Sequence, residues 1–123
     1  MRGNDQIKII NAKFRVHIGI NEKEKSAPQD LFLDIVLFTD TRVSATTDTI
    51  ESTIDYRQVF AQIKHLLESK SHDLIETVAE VTAQHVLQHF PAQKVFVEVR
   101  KPGGLPGLAD YTAVAITRKA NES

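Results

Sequence analysis

The chain has 123 residues, a net charge of −1 near neutral pH and 25% charged residues, a composition that excludes general disorder and a dedicated basic surface for nucleic acid. It contains no cysteine, which excludes disulfides, thiolate metal sites and cysteine nucleophiles. No apolar run reaches membrane-spanning length and the N-terminus lacks an apolar signal core, so we expect a single cytoplasmic domain over residues 1–123, with no membrane or nucleic-acid partner.

The first half of the chain predicts two strands that form a long hairpin. Residues 6–20 mix alternation with β-branched side chains, and we expect this strand to be bulged around Asn11. A polar connection occupies 21–30. Residues 31–38 are almost entirely apolar, which is typical of a strand covered on both faces. A loop rich in threonine, serine and aspartate follows over 39–53.

Two amphipathic helices are predicted after this loop. The first follows Asp55, a favoured N-cap residue, with Gln58 at N3. Its apolar residues recur at three- and four-residue spacing: Tyr56, Val59, Phe60, Ile63, Leu66 and Leu67. The second helix is predicted over 74–90, and its apolar arc contains one carboxylate, Glu76.

Two further strands complete the predicted fold. Residues 94–101 alternate cleanly and place their valines on one face, whereas 101–110 is a connection rich in glycine and proline. The last strand is predicted over 111–118. The order ββααββ indicates an α+β fold, in which a four-stranded antiparallel sheet carries two helices on one face.

Two charged side chains are predicted on buried faces, and each has a structural and a functional interpretation. With Asp73 as N-cap, Glu76 occupies the N3 position of a capping box, where the helix dipole also favours an acid. Alternatively, Glu76 is a buried carboxylate that binds a ligand with adjacent N–H groups. Lys101 is either a strand-end lysine that extends into solvent or a base in a partly desolvated pocket.

Other polar residues carry weaker signals. Tyr56 lies on the apolar stripe of the first helix, as a core tyrosine with a bonded hydroxyl would. Glu22 and Glu24 lie in one charged loop, and composition does not distinguish them. His85 and His89 are four residues apart, a spacing that can bind zinc, but no third ligand follows from the sequence, so no metal site is predicted.

Four stretches, in this order, resemble the dihydroneopterin aldolase family of tunnelling-fold enzymes, and the resemblance covers about residues 6–118. They are HIGINEKEKSAPQ (17–29), STIDYRQVF (52–60), DLIETVAE (73–80) and VRKPGGLPG (99–107). The family pattern of a glycine, a glutamate five residues later and a glutamine five beyond matches Gly19, Glu24 and Gln29. The resemblance therefore selects Glu24 over Glu22.

The resemblance implies an enzyme of folate biosynthesis that cleaves 7,8-dihydroneopterin by a retro-aldol reaction. Its products are 6-hydroxymethyl-7,8-dihydropterin and glycolaldehyde, with 2′-epimerisation as a side activity. By resemblance, Lys101 is the base, Glu24 orients it or the substrate hydroxyls, and Tyr56 gives a proton to the intermediate. The substrate's own C=N bond absorbs the electrons, so neither a cofactor nor a metal is implied.

The resemblance also implies how the pterin is bound and how the chain assembles. Glu76 matches the family's anchoring glutamate, and one carboxylate can accept two adjacent donors of the pterin ring. Ile75 and Ile54 are expected to contact the same ligand. The family forms rings, often stacked as octamers, so we expect a homo-oligomer, most simply an octamer, in which Tyr56 faces the other site residues across an interface.

Two alternative functions stay open at this point. A dihydroneopterin triphosphate 2′-epimerase shares much of the same framework, and Arg57 and Arg100 are available to bind phosphate. A non-catalytic pterin-binding or scaffold protein would have the same fold, because fold alone does not determine function.

Overall fold

The computed structural model describes residues 4–121, so the ends of the expected domain, 1–3 and 122–123, lie outside the described residues. The elements, in chain order, are β1 (Asp5–Val16), α1 (Glu22–Lys25), β2 (Gln29–Thr39), α2 (Arg42–Thr47), a 3₁₀ turn (Ile50–Ser52), α3 (Tyr56–Glu68), α4 (Ile75–His89), β3 (Lys94–Pro102) and β4 (Tyr111–Lys119). Between residues 4 and 121, no helix is long and apolar enough to cross a membrane.

The four strands form one antiparallel sheet, as the sequence predicts, and their order in it is β1-β2-β3-β4. The β1–β2 register shifts between Ile9 and Ala12. Asn11 lies at this shift with φ +58, and its backbone N–H donates to the Asp34 carboxylate at 2.8 Å. The expected bulge at Asn11 is confirmed, and a side-chain acceptor replaces the missing ladder bond.

Helices α3 and α4 cover one face of the sheet and enclose the core. α3 packs against β1, while α4 packs against β3 and β4. The largest fully buried side chains come from both layers and include Phe14, Leu31, Leu33, Ile35, Leu37, Ile63 and Leu67. Burial of such apolar surface stabilises the fold by about 25 cal/mol per Å². Tyr56 is outside this core with 59% of its surface exposed, so its interpretation as a core tyrosine is wrong.

The two polar connections contain short helices that the sequence analysis did not predict. α1 lies within the 21–30 connection, and α2 and the 3₁₀ turn lie within the 39–53 loop. Neither α1 nor α2 contains a buried residue. The apolar periodicity that predicts a helix is absent here because these helices bury no face.

Candidate active site

Three segments that carry expected site residues meet at one end of the sheet. Beyond β1, Ile18 forms a parallel bridge with His72 in the connection that leads to α4. The His72 N–H donates to the His17 carbonyl at 2.9 Å, and the Gly19 N–H donates to the His72 carbonyl at 3.1 Å. This bridge places α1, which follows Gly19, beside the start of α4. The third segment is the end of β3, which carries Lys101.

Glu24 is fixed by hydrogen bonds to its backbone and to its side chain. Its N–H donates to the Asn21 side chain, the N-cap of α1, at 2.9 Å. One carboxylate oxygen, Oε1, accepts from the Ile20 N–H at 3.2 Å. Gln29 Nε2 donates to the Ile18 carbonyl at 2.8 Å and to the Glu24 carbonyl at 3.4 Å. These bonds leave the second oxygen, Oε2, to face Lys101.

Lys101 Nζ lies 3.7 Å from Glu24 Oε2. The side chains of Lys101 and Glu24 are 17% and 38% exposed, so the lysine does not extend freely into solvent. Because the pair is partly buried, solvent and salt screen its attraction less than that of a fully exposed pair. Glu22, in contrast, is 96% exposed at its side chain and lies 3.7 Å from Lys25. The structure therefore brings Glu24, and not Glu22, to the lysine.

Glu76 is the second residue of α4 and makes no capping box. The N-cap is Leu74, which forms no side-chain cap, and the Asp73 carboxylate accepts from Lys25 instead. The capping interpretation of Glu76 is thus wrong. The carboxylate is exposed, and not buried as predicted, because Glu76 lies in the first turn of α4, ahead of the buried residues, which begin at Val78. Within residues 4–121 no hydrogen bond or ion pair occupies it, so a ligand can.

Tyr56 begins α3, directly after its N-cap. The Asp55 carboxylate accepts from the Arg57 N–H at 3.0 Å, which confirms the predicted cap. This bond holds the pKa of Asp55 below its ordinary value. Ile54, just before the cap, is buried in the core, whereas Ile75 is half-buried against it. Ile75 is therefore more accessible to a ligand than Ile54.

The structure brings Tyr56 to neither Lys101 nor Glu76 within one chain. Helices α3 and α4 are joined by the short connection 69–74 and by a 2.8 Å hydrogen bond from His85 Nε2 to Gln62 Oε1, so they run antiparallel. Tyr56 therefore lies at the end of the helix pair opposite Glu76. The 13 residues of α3 span roughly 18 Å at 1.5 Å per residue. Across residues 4–121 no bond connects Tyr56 to Lys101.

The groove between α3 and α4 is distinct from this site. It has a volume of about 590 Å³ and is lined in part by His65, His85 and His89. The rings of His85 and His89 stack with centroids 4.1 Å apart. In the part of the chain that the structure describes, no group of three or more histidine, cysteine or acidic side chains is placed to hold a metal ion. The groove contains none of the expected site residues.

The sequence analysis missed the side chains that hold α1 in place. His17 Nδ1 donates to the Lys25 carbonyl at 2.7 Å, and Lys25 Nζ donates to Asp73 Oδ1 at 2.8 Å. Asn21 could have been found, because asparagine before an acidic turn is a common N-cap pattern. No sequence pattern relates Lys25 to Asp73, which are 48 residues apart.

Comparison with known proteins gives consistent matches over most of the chain. The family model of dihydroneopterin aldolase matches residues 7–117. The chain is similar to the dihydroneopterin aldolase of Streptomyces coelicolor, with 36% identity over 92% of this chain and 94% of that protein. It is 32% identical to the Bacillus subtilis enzyme of the same name, over 94% of this chain and 98% of that protein.

A solved structure matches the fold. The crystal structure of Escherichia coli dihydroneopterin aldolase in complex with neopterin superposes with a TM-score of 0.89. The two chains are 27% identical, and the match covers 93% of this chain and 98% of that one.

Proposed function

Because the chain belongs to the dihydroneopterin aldolase family, we propose that it is the carbon–carbon lyase that cleaves 7,8-dihydroneopterin in folate biosynthesis. The products are 6-hydroxymethyl-7,8-dihydropterin and glycolaldehyde. The observation that carries the proposal is the 3.7 Å approach of Lys101 Nζ to Glu24 Oε2 at the meeting point of α1, β3 and α4. An amine and a carboxylate at this distance can exchange a proton with a substrate hydroxyl.

The pterin ring is recognised by Glu76 in this proposal. Its carboxylate has no hydrogen-bond or ion-pair partner among the described residues and lies in the first turn of α4. A carboxylate can accept two parallel hydrogen bonds from the adjacent amino and N–H groups of a pterin. Ile75 beside it contributes apolar contact, and Ile54, which lies at the Tyr56 end of α3, would do so from an adjacent subunit. The related E. coli enzyme was crystallised with neopterin, a ligand of this class.

The bond-breaking step is acid–base chemistry. Lys101, directly or through a water, takes the proton of the 2′-hydroxyl, and Glu24 orients the amine or the hydroxyl. The C1′–C2′ bond then breaks and releases glycolaldehyde. Its electron pair passes into the C=N bond of the dihydropterin and gives an enol-type intermediate. Re-addition of the intermediate to the opposite face of the glycolaldehyde carbonyl produces the 2′-epimer as a side activity.

The intermediate is quenched by a proton delivered to C1′, and we assign this step to Tyr56. Since Tyr56 lies at the far end of the helix pair in its own chain, the donor comes from an adjacent subunit. Its 59% exposure in the isolated chain supports a position at an interface. We propose a ring of subunits, most simply a homo-octamer, with each site completed by two chains.

Of the two arginines considered for a triphosphate substrate, the structure holds Arg100 away from the site. Arg100 is on the face of the sheet opposite Lys101, since neighbouring residues of a strand point to opposite faces. It is held there by Asp34 at 2.8 Å and by Glu98 at 3.5 Å. Arg100 is therefore not free to bind a substrate phosphate beside Lys101. Arg57 pairs with Asp55 at 3.3 Å but is 75% exposed, so the epimerase is tested by the reaction products.

Product analysis tests the proposed reaction. Purified protein is incubated with 7,8-dihydroneopterin, and glycolaldehyde and the pterin products are measured separately. We expect equal amounts of glycolaldehyde and hydroxymethyldihydropterin. Formation of the 2′-epimer alone would indicate an epimerase, and no turnover at all would indicate a pterin-binding protein.

A pair of lysine variants assigns the reaction to the site. Lys101→Ala should lower the rate by roughly 10²-fold or more, since a general base contributes at least that much. Lys64→Ala is the matched control, because it removes a lysine that pairs with Glu68 on α3 at 2.6 Å, outside the site. Equal activity of the two variants would remove Lys101 from the mechanism.

A further inference from the structure

We propose that the ion pair between Lys25 and Asp73 is a positioning device that fixes Glu24 relative to Glu76. The inference rests on the proposed function and extends it to residues that touch no substrate. Lys25 directly follows Glu24, and Asp73 precedes Glu76 by three residues. The pair therefore joins the segment that acts on the substrate side chain to the segment that anchors the pterin ring.

Helix α1 cannot hold its own orientation. It has four residues, fewer than the roughly 12–15 that an isolated helix needs to be marginally stable in water. None of its residues is buried, so no apolar face attaches it to the core. Its orientation, and with it that of Glu24, depends on the polar contacts of its two ends.

Two contacts of Lys25 hold the C-terminal end of α1. The Lys25 carbonyl accepts from His17 Nδ1 at 2.7 Å, which ties the end of α1 back to the residue that follows β1. The Lys25 ammonium donates to Asp73 Oδ1 at 2.8 Å, and its side chain is only 19% exposed. Among residues 4–121, this is the one side-chain bond between α1 and the connection before α4. The same bond is the main cause that raises the pKa of Lys25 above its ordinary value.

A purely structural role would make the pair one more surface salt bridge. Such pairs contribute little to stability when one partner is exposed, and the Asp73 side chain is 68% exposed. The proposed role is different from that of a stabilising salt bridge, because the pair sets the orientation of α1 relative to the start of α4 and does not hold the core together. Its loss should leave folding intact and affect the reaction.

Loss of the ion pair should affect catalysis and pterin binding differently, because Glu24 acts on the substrate side chain and Glu76 binds the ring. Glu76 binds the ring whether or not α1 is correctly oriented, so pterin affinity should change little. Glu24 and Lys101 must meet the substrate side chain in register, and a misplacement of about 1 Å can lower a rate by roughly 10²-fold. Loss of the pair should thus lower kcat and leave the neopterin Kd almost unchanged.

The experiment compares Asp73→Ala with wild type by amide hydrogen exchange, by steady-state kinetics with 7,8-dihydroneopterin and by neopterin titration. The informative amides are those of Ile20 and Glu24, whose N–H groups are hydrogen-bonded within the α1 segment. We expect their exchange to be about fivefold faster. We expect kcat to fall by roughly tenfold, and the neopterin Kd to stay within about twofold.

Two further variants separate positioning from other effects. The exchanged pair, Lys25→Asp with Asp73→Lys, should recover most of the lost kcat because it restores an ion pair between the same segments. Arg118→Ala is the matched control: it breaks the 2.9 Å pair with Glu80, which joins β4 to α4 outside the site. It should leave the exchange of α1 and kcat unchanged.

Each result decides the inference. Unchanged exchange at Ile20 and Glu24 in Asp73→Ala overturns it, whatever happens to kcat. Failure of the exchanged pair to recover a lost kcat also overturns it, because Asp73 would then act other than through Lys25. A wild-type protein that does not cleave dihydroneopterin refutes the proposed function alone, since the exchange measurement needs no turnover.

Discussion

The position of Glu24 depends on the residue that stands five places before it. Gly19 has φ +152, a conformation that residues with a side chain rarely adopt. A Cβ atom at this position would lie 2.3 Å from Glu24 Cβ. The glycine therefore lets the start of α1 fold back over the chain, and this brings the Glu24 carboxylate within reach of the Ile20 N–H.

Replacement of this glycine should move the catalytic carboxylate. Gly19→Ala is expected to displace α1 and to lower the rate of dihydroneopterin cleavage by at least roughly tenfold. Gly107→Ala is the control, since Gly107 also has a positive φ, +73, but nothing lies within 4 Å of an added Cβ. Activity per folded protein, corrected for thermal stability, distinguishes them. An equal loss in both variants would mean that backbone strain alone is responsible.

Glu76, the proposed anchor of the pterin ring, should determine the affinity for pterins. Glu76→Gln exchanges one acceptor oxygen for a donor, so the side chain can no longer accept two ring donors. A hydrogen bond to a charged group contributes about 1.5–3 kcal/mol, hence we expect at least a tenfold weaker affinity for neopterin. Fluorescence titration measures it, with the exposed Glu22→Gln as control. An unchanged Kd would exclude Glu76 from the pterin contact.

At the scale of elements, the sequence predicts what is buried and misses what is held by polar contacts. Alternation predicts β3 and the inward side of Lys101, and the spacing of Val59 and Ile63 predicts α3. The start of α4 was misjudged, because Asp73 has the residue type of an N-cap but its carboxylate binds Lys25. That ion pair joins residues 48 apart in the chain, and no local pattern encodes such a contact.

One buried side chain makes the connection before α4 sensitive to acid. His72 is 5% exposed, and neither ring nitrogen has a hydrogen-bond partner among the described residues. Burial lowers the pKa of His72 below its ordinary value, and the charge of Lys70 acts in the same direction. The unfolded chain therefore takes up a proton that the native state refuses, and stability should fall as the pH drops below about 6.5.

The effect is measurable as the pH dependence of Tm. Between about pH 7 and pH 5, wild type should lose more thermal stability than His72→Leu, which cannot be protonated. His89→Leu is the control, since His89 is exposed. Parallel pH profiles for wild type and His72→Leu would show that His72 is not the group responsible.

At the scale of the whole molecule, the chain leaves surfaces that favour association. β1 and β4 are the two edges of the sheet, and an uncovered edge strand readily pairs with another chain. Several large apolar side chains are exposed, among them Ile10, Ile20, Leu105, Leu108 and Tyr111. Pairing of the edges into a closed ring would cover both kinds of surface.

Sedimentation velocity tests the assembly. At micromolar concentration we expect a species several times larger than the 13.8 kDa chain, an octamer being the simplest expectation. A monomer at all concentrations would contradict the ring and, with it, the donation of a proton by Tyr56 of an adjacent subunit.

The central claim is that each site is completed by two chains, with Lys101 from one and Tyr56 from the other. As pure oligomers, Lys101→Ala and Tyr56→Phe should each form hydroxymethyldihydropterin roughly 10²-fold or more slowly than wild type, since each variant lacks one acid–base group. Tyr56→Phe keeps the packing of the chain, because Tyr56 is exposed and phenylalanine retains its ring.

The direct measurement is the rate of hydroxymethyldihydropterin formation by mixed oligomers, obtained by co-expressing the two variants with different affinity tags. If the site is shared, random mixing gives about a quarter of the sites both wild-type side chains, and the mixed oligomers should recover about a quarter of the wild-type rate. If both residues act within one chain, no site is complete and mixing recovers nothing, a result that would contradict the account.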